Sequence, residues 1–244
     1  MTDKEELRFA SKTIAAGNNA KTIKGDKEYL TAIMYLAPWK ALAGQNSCSM
    51  AELAGCHEAC LYTAGRGQMN SIQTSRLNKT RRYYDDRQSF MEQLDKDITR
   101  FTNYCKKNDV LPAVRLNGTS DIRWERENYG ESGQNVFDQH PTVQFYDYTK
   151  IANRKITNDN YDLTFSYSNA NPKYEVMHKI ATGNGQNVAV VFRDKDKIPT
   201  EFLGMKVVDG DRDDLRFLDE KNVVVALYAK GKAKKDYSGF VIDV

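Results

Sequence analysis

Asn187-Val-Ala-Val-Val-Phe192 is an unbroken apolar run that ends at the charged pair Arg193-Asp194. A second run of this kind, Asn222-Val-Val-Val-Ala-Leu-Tyr228, follows closer to the C-terminus. Strands that are buried on both faces of a parallel sheet have continuous apolar sequences, whereas strands with one solvent-facing side alternate. The two runs therefore predict strands at the centre of a parallel sheet.

Shorter strand-like segments lie elsewhere in the chain, and helical patterns separate several of them. The further predicted strands are Tyr29–Leu36, Ala113–Leu116, Thr142–Tyr146, Leu163–Ser166 and Met205–Val208. The predicted helices cover residues 69–84, 87–107, 135–139 and 173–181. Strands that alternate with helices are typical of α/β folds. We therefore predict one α/β domain whose parallel sheet forms a partial or a closed (β/α) barrel, comparable to a TIM barrel.

The composition is that of a folded protein. The chain has 244 residues, of which 40% are hydrophobic and 28% charged, and its net charge is +3. This length suits one large domain, which we place at residues 29–244, after a polar lead-in over residues 1–28. The small net charge does not by itself indicate nucleic-acid binding. No apolar stretch approaches the ~18 residues of a membrane span, and the charged N-terminus is unlike a signal peptide. We therefore expect a cytoplasmic protein with no membrane partner.

Three of the four cysteines lie in a loop that we predict over residues 37–67. Cys48, Cys56 and Cys60 have the spacing C-x7-C-x3-C. Disulfides are rare in the cytoplasm, and thiolates are ligands that suit zinc and iron–sulfur clusters. A [4Fe–4S] cluster bound by three cysteines leaves one iron open for an outside ligand, such as a small molecule. We expect a cluster of this kind here.

Two alternatives for the trio stay open. His57 could complete a Cys3His zinc site, although the C-x2-4-C pairs of structural zinc sites are absent. The three side chains could also be ordinary buried thiols. The fourth cysteine, Cys105, falls on the apolar stripe of the 87–107 helix, which indicates a core residue.

Polar residues follow the predicted strands, and in parallel α/β folds the carboxyl ends of the strands share one face. We expect a pocket above the cluster at that face. Its predicted lining residues are Asn117, Ser120, Asp121, Asp147, Lys150, Arg193 and Asp209. Arg66, in Thr63-Ala-Gly-Arg-Gly67, could add an anion contact before a helix start. The alternative is that strands end in turns, which are rich in Asn, Asp, Gly and Ser in any protein.

A basic segment offers a second functional hypothesis. Five basic side chains stand beside Tyr83 and Tyr84; they are Arg76, Lys79, Arg81, Arg82 and Arg87. Basic residues interleaved with aromatics can bind nucleic-acid backbones and stack bases. The protein could thus be non-enzymatic, binding nucleic acid or a host protein with a structural metal in the loop. A solvated helix face balanced by Asp85 and Asp86 explains the same residues.

Several strings together resemble the phage "gene product 88" family, proteins of bacteriophages and prophages without an established function. They are Leu36-Ala-Pro-Trp-Lys40, Cys60-Leu-Tyr-Thr-Ala-Gly-Arg-Gly67, Val114-Arg-Leu-Asn-Gly-Thr-Ser-Asp121, Val143-Gln-Phe-Tyr-Asp-Tyr-Thr-Lys150, Asn187-Val-Ala-Val-Val-Phe-Arg193, Val208-Asp-Gly-Asp211 and Asp214-Leu-Arg-Phe-Leu-Asp219. The resemblance covers residue 30 to the C-terminus. It implies a viral protein made in the cytoplasm of a bacterial host.

A more distant similarity is to radical S-adenosylmethionine enzymes, which have a three-cysteine loop after the first strand of a partial α/β barrel. The similarity implies S-adenosylmethionine as a ligand of the open iron and a radical or redox reaction on an unknown substrate. The chain departs from that group in two places. It lacks the C-x3-C-x2-C spacing, and Asn117-Gly-Thr-Ser-Asp121 stands where a Gly-Gly-Glu-Pro-like segment is expected.

Overall fold

One mixed sheet runs through the computed structural model, which describes residues 7–17, 28–60, 62 and 65–244. Within these residues the sheet has eleven strands: β1 (Phe9–Ala10), β2 (Ile14–Ala16), β3 (Tyr29–Met34), β4 (Leu111–Arg115), β5 (Gln144–Thr149), β6 (Tyr161–Ser166), β7 (Asn187–Phe192), β8 (Glu201–Phe202), β9 (Met205–Asp209), β10 (Val223–Tyr228) and β11 (Val241–Ile242). The helices are α1 (Asn70–Asp85), α2 (Arg87–Lys107), α3 (Val136–Gln139) and α4 (Tyr174–Gly183). The predicted α/β class is confirmed.

The strand order explains where the sheet ends. The strands follow one another across the sheet in the order β1-β2-β3-β4-β5-β6-β7-β10-β9-β8. The seven strands from β3 to β9 in this order are all parallel to their neighbours. At one edge β1 and β2 add to β3 in antiparallel fashion, and at the other edge β8 is antiparallel to β9. These edge strands do not pair with each other, so the described sheet is open. The closed-barrel alternative is therefore wrong, because antiparallel strands end the parallel ladder on both sides.

Strand β11 pairs with the same edge of β7 as β6 does, but farther toward the carboxyl end of β7. β6 pairs with Asn187–Ala189 of β7, whereas β11 pairs with Val191 and Phe192. β10 occupies the other edge of β7. The last residues of the chain are therefore held beside the carboxyl end of β6, where the polar residues after the strands also gather.

Helices cover one face of the sheet. Phe90, Leu94, Ile98 and Phe101 of α2 pack with Leu30, Val114 and Phe145 from three neighbouring strands in one core. Cys105 is fully buried in the same core, as its place on the apolar stripe indicates. Burial of such a stripe is the main source of stability for an amphipathic helix.

The segment Asp213–Asp219 packs against the other face. The ring of Phe217 lies 4.9 Å from that of Tyr29 and 5.3 Å from that of Tyr146. Arg115 Nη1 binds Asp214 Oδ2 at 2.6 Å. Tyr29, Arg115 and Tyr146 belong to three adjacent strands, so this segment fills part of the face that the helices leave free.

The lead-in predicted over residues 1–28 contains two strands, β1 and β2, which the sequence pattern did not indicate. Leu7, Phe9 and Ile14 are buried. Asp97 of α2 accepts hydrogen bonds from Thr13 N at 3.0 Å and from Thr13 Oγ1 at 2.8 Å. Strands of two or three residues are too short to show a period. Residues 1–6 and 18–27 of the lead-in lie outside the described residues.

In the part of the chain that the structure describes, no helix combines the length and apolar character that crossing a bilayer requires.

Candidate functional site

A cavity of about 2020 Å³ opens at the carboxyl ends of the parallel strands. Its walls come from the residues that follow β3, β4, β5 and β10, and from the end of β6. The predicted site residues that line it are Cys48, Cys56, Cys60, Arg66, Asn117, Ser120, Asp121 and Lys150. The structure thus brings eight of the predicted residues to one space, while Asp147, Arg193 and Asp209 lie elsewhere.

The three loop cysteines line the same cavity without forming disulfides. The Cys48 thiol donates to the carbonyl oxygen of Thr119 over 3.6 Å, and the Cys60 sulfur accepts from the backbone N–H of Tyr62 over 3.5 Å. Burial raises the pKa of Cys48 to about 12 and raises the pKa of Cys56 and of Cys60 as well. The thiols are also close enough for Cys60 to act electrostatically on Cys48, and Cys56 on Cys60.

The loop that carries the cysteines is anchored by three serine side chains. Ser47 Oγ donates to the carbonyl oxygen of Ala37 at 2.6 Å. Ser168 Oγ, just after β6, donates to Ala54 O at 2.7 Å, and Ser238 Oγ donates to Gly55 O at 2.9 Å. Gly55 has φ +65, and a Cβ there would lie 2.5 Å from Ser238 Oγ. The loop therefore depends on a glycine at this position.

Lys150 lies among the thiols. Burial lowers the pKa of its ammonium group, whereas Cys56, Asp121, Cys48 and Cys60 all act to raise it. The Nζ atom donates to Ser166 Oγ at 2.9 Å and to Ser166 O at 3.1 Å. It also lies 4.5 Å from the centre of the Phe240 ring. One side chain thus places a positive charge beside all three sulfurs.

Asp121 is the acidic counterpart of Lys150 in the cavity wall. Its carboxylate accepts hydrogen bonds from Thr149 Oγ1 at 2.8 Å and from the backbone N–H of Lys150 at 2.8 Å. Arg154 Nη1 lies 3.4 Å from Asp121 Oδ1. Burial raises the pKa of Asp121 despite these partners. The carboxylate fixes the loop after β5 to the loop after β4.

The arrangement of the thiols bears on which metal they fit. Among the described residues, no group of three or more His, Cys, Asp and Glu side chains is close enough for a single ion. His57, the predicted zinc ligand, packs its ring against Trp39 at 4.9 Å. A cubane cluster is several atoms wide, so its ligand sulfurs stand farther apart than those around one ion. In donor chemistry alone, three soft thiols that line one cavity beside a cation are of the type that iron–sulfur clusters use.

The polar side-chain atoms of Asn117 and Ser120 form hydrogen bonds within the protein. The side-chain oxygen of Asn117 accepts from Ser120 Oγ, from the backbone N–H of Ile122 and from Trp124 Nε1. Its amide group donates to Ile122 O at 2.9 Å. The two residues therefore shape the cavity wall.

The three predicted residues outside the cavity have structural partners. Asp147 is buried and accepts from Asn117 N at 2.8 Å, because strand alternation turns it to the same side as Phe145, toward the helices. Arg193 binds Asp243 and donates to Lys234 O and Asp236 O. Asp209 accepts from the backbone N–H of Asp211. In each case the polar residue stabilises a strand end or a turn, as the alternative interpretation had it.

Sequence reasoning missed other lining residues, including Arg115, Asp214, Tyr35 and Tyr148. Arg115 was detectable, because it interrupts the apolar strand segment Ala113-Val-Arg-Leu116. Asp214, its partner, lies 99 positions later in the chain, and nothing local in the sequence joins them.

The basic residues of the nucleic-acid hypothesis lie in several different surroundings, although Lys79 and Arg82 share a shallow surface groove. Arg76 and Lys79 line the cavity. Arg81 and Arg82 are exposed, and Arg87 pairs with Glu127 at 3.1 Å and stacks on Tyr83. Successive residues of a helix point in different directions, which separates the charges that are adjacent in the sequence.

Comparison with known proteins identifies the family of the chain. The family described as Gene product 88 matches residues 7–244. The chain therefore belongs to this family, which confirms the resemblance to the phage gene product. No curated protein and no solved structure matches the chain significantly.

Proposed function

We propose that this member of the Gene product 88 family is a phage iron–sulfur protein. In this proposal Cys48, Cys56 and Cys60 ligate a [4Fe–4S] cluster, and the cavity takes up a small molecule beside it. The observation that carries the proposal is that these three thiols line one cavity together with the ammonium group of Lys150. The site is expected to work in the cytoplasm of the bacterial host.

The electrostatics favour a ligand role for the cysteines over a nucleophilic one. Burial raises the pKa of all three thiols, so at neutral pH they are protonated and are poor nucleophiles. Metal ions displace thiol protons and supply the positive charge that a buried thiolate needs. The same burial that disfavours a bare thiolate therefore suits a metal-bound one.

The number of cysteines supports a cluster with an open iron. The fourth cysteine, Cys105, is fully buried in the core beneath the helices and does not line the cavity. When bound, a three-cysteine [4Fe–4S] cluster supplies a Lewis-acidic iron and an electron donor or acceptor. Around it, Lys150 would offset the negative charge of the thiolates. Asp121 would hold the Lys150 loop in position.

The proposal also includes a sheet that curves into a partial barrel and a distant relationship to radical S-adenosylmethionine enzymes. The cysteine loop follows β3, which is the first parallel strand in chain order. The open sheet leaves the cavity at its carboxyl edge, the usual place of an α/β site. S-adenosylmethionine is therefore the first small molecule to test at the open iron, by its reductive cleavage in the presence of the loaded protein.

Single cysteine variants assign the ligands. We expect Cys48→Ala, Cys56→Ala and Cys60→Ala each to lower bound iron and acid-labile sulfide strongly after anaerobic reconstitution. Cys105→Ala is the matched control, because it removes a thiol that lies outside the cavity, and it should retain the cluster. Equal iron in all four variants, or loss in Cys105→Ala alone, would contradict the proposed ligand set.

A further inference from the structure

Two cations of helix α1, Arg76 and Lys79, line the cavity in addition to Lys150. Arg76 and Lys79 lie about one helical turn apart, so they project from the same side of α1. Both line the cavity. Arg76 is only 7% exposed. Its guanidinium lies over the ring of Tyr35 at 4.8 Å and that of Tyr62 at 5.2 Å.

These two cations lack carboxylate partners. Among the described residues, no acidic group lies within salt-bridge distance of Arg76 or Lys79, and Arg76 Nε is buried with no hydrogen-bond acceptor. Lys79 Nζ reaches the carbonyl oxygen of Thr13 at a long 3.5 Å. Burial and, to a smaller extent, the nearby Arg76 together lower the pKa of Lys79 to about 8. Buried charges are costly unless they are paired, so this pair suits an anionic partner from outside.

The charged side chains that line the cavity are predominantly positive. Nine Lys and Arg side chains and five Asp and Glu side chains line it, an excess of four positive charges. Three of the acidic groups are already bound, since Asp121 holds the Lys150 loop, Asp211 pairs with Lys230 at 2.7 Å, and Asp214 pairs with Arg115. A cleft lined by one sign of charge concentrates ligands of the opposite sign.

We infer that Arg76 and Lys79 bind an anionic group, a phosphate or a carboxylate, on the small molecule that enters the cavity. The planar guanidinium matches either group through paired hydrogen bonds, and the lysine adds a mobile point charge. The inference rests on the proposed function in one respect, namely that the cavity takes up a small molecule. It does not require the cluster.

Titration calorimetry on the full chain tests the inference, with pyrophosphate and citrate as probes of the two anion classes. We expect saturable binding of one or both at millimolar concentrations or below. Lys79→Gln should weaken binding about tenfold, because a hydrogen bond to a charged group is lost. Arg76→Lys keeps the charge but loses the planar fork, and it should weaken binding as well. Arg81→Gln, an exposed residue of the same helix that does not line the cavity, is the matched control.

The outcomes separate this inference from the proposed function. Stronger binding of pyrophosphate assigns a phosphate, and stronger binding of citrate assigns a carboxylate. No saturable binding of either probe overturns the inference, as does binding that Lys79→Gln and Arg81→Gln change equally. Anion binding by a chain that takes up no iron would support the anion site and contradict the iron–sulfur cluster. A brown, iron-containing protein that binds neither probe would support the cluster and contradict the anion site.

Discussion

The backbone N–H of Lys150 donates to Oδ2 of Asp121 over 2.8 Å, which joins the loop after β5 to the loop after β4. Asp121 lies in the wall of the cavity, and the Lys150 ammonium lies beside the three loop thiols. A carboxylate from one strand end therefore fixes the position of a cation from the next.

Removing this carboxylate should destabilise the fold. In Asp121→Ala, Lys150 N and Thr149 Oγ1 lose their acceptor, and Arg154 is left with Glu125 as its carboxylate partner. Breaking a buried charge network costs about 3 kcal/mol. Urea unfolding should show this loss, whereas Asp159→Ala, on an exposed turn, should change the free energy of unfolding by less than about 0.5 kcal/mol. Equal midpoints for the two variants would disprove the anchoring role.

Lys150→Gln should alter the electronic properties of a bound cluster. The ammonium is the positive charge that acts on all three thiols, and a nearby positive charge favours the reduced state. Its removal should shift the reduction potential of the cluster to more negative values, since net charge is one of the factors that set this potential. Lys221→Gln, which breaks an exposed pair with Asp162, serves as the control. If neither variant changes the reduction potential of the cluster, the Lys150 ammonium does not lie close enough to act on the cluster.

The predictability of the fold follows from the length of each pattern. The helices predicted over 69–84 and 87–107 are observed at Asn70–Asp85 and Arg87–Lys107, and the apolar stripe of the second is long enough to give a clear period. The strand β1 has only two residues and could not be recognised. The sequence also did not show whether the sheet closes into a barrel, because closure depends on whether the two edge strands pair, and these strands are far apart in the chain.

The site residues divide along similar lines. Lys150 and Asp121 were predicted because they follow strands, and both line the cavity. Arg193 follows a strand too, but it binds the C-terminal tail. Position after a strand gives the edge of the sheet on which a residue lies. The direction of its side chain depends on neighbours that the local sequence does not contain.

Arg193→Ala should release the C-terminal tail. Arg193 binds Asp243 and the carbonyl oxygens of Lys234 and Asp236, and it lies 4.6 Å from the ring centre of Tyr237. Without these contacts, local unfolding of the tail should become easier. Trypsin should then cleave near Lys234 faster than in the wild type, while Asp196→Ala should digest at the wild-type rate. Identical digestion of both variants would show that the arginine does not hold the tail.

Asp147→Asn should change how stability depends on pH. Burial raises the pKa of Asp147 to about 7 from its ordinary value of 3.8. The folded state therefore binds more protons than the unfolded state between these values, so this group stabilises the fold at low pH and loses that effect as pH rises through 7. Asparagine carries no charge and keeps an oxygen for the Asn117 N–H. Between pH 4 and 8 the free energy of unfolding should therefore fall less in Asp147→Asn than in the wild type, by roughly 1 kcal/mol or more. If the two proteins lose stability in parallel over this range, the raised pKa of Asp147 is refuted.

The central claim is that Cys48, Cys56 and Cys60 hold an iron–sulfur cluster, and metal analysis of the wild-type chain tests it most directly. The protein would be purified without oxygen and analysed for iron, acid-labile sulfide and zinc, with a visible absorption spectrum of the same sample. We expect a brown protein with iron and sulfide in equal amounts and little zinc. A colourless protein that carries zinc, or one that takes up no iron even after incubation with iron and sulfide, would contradict it.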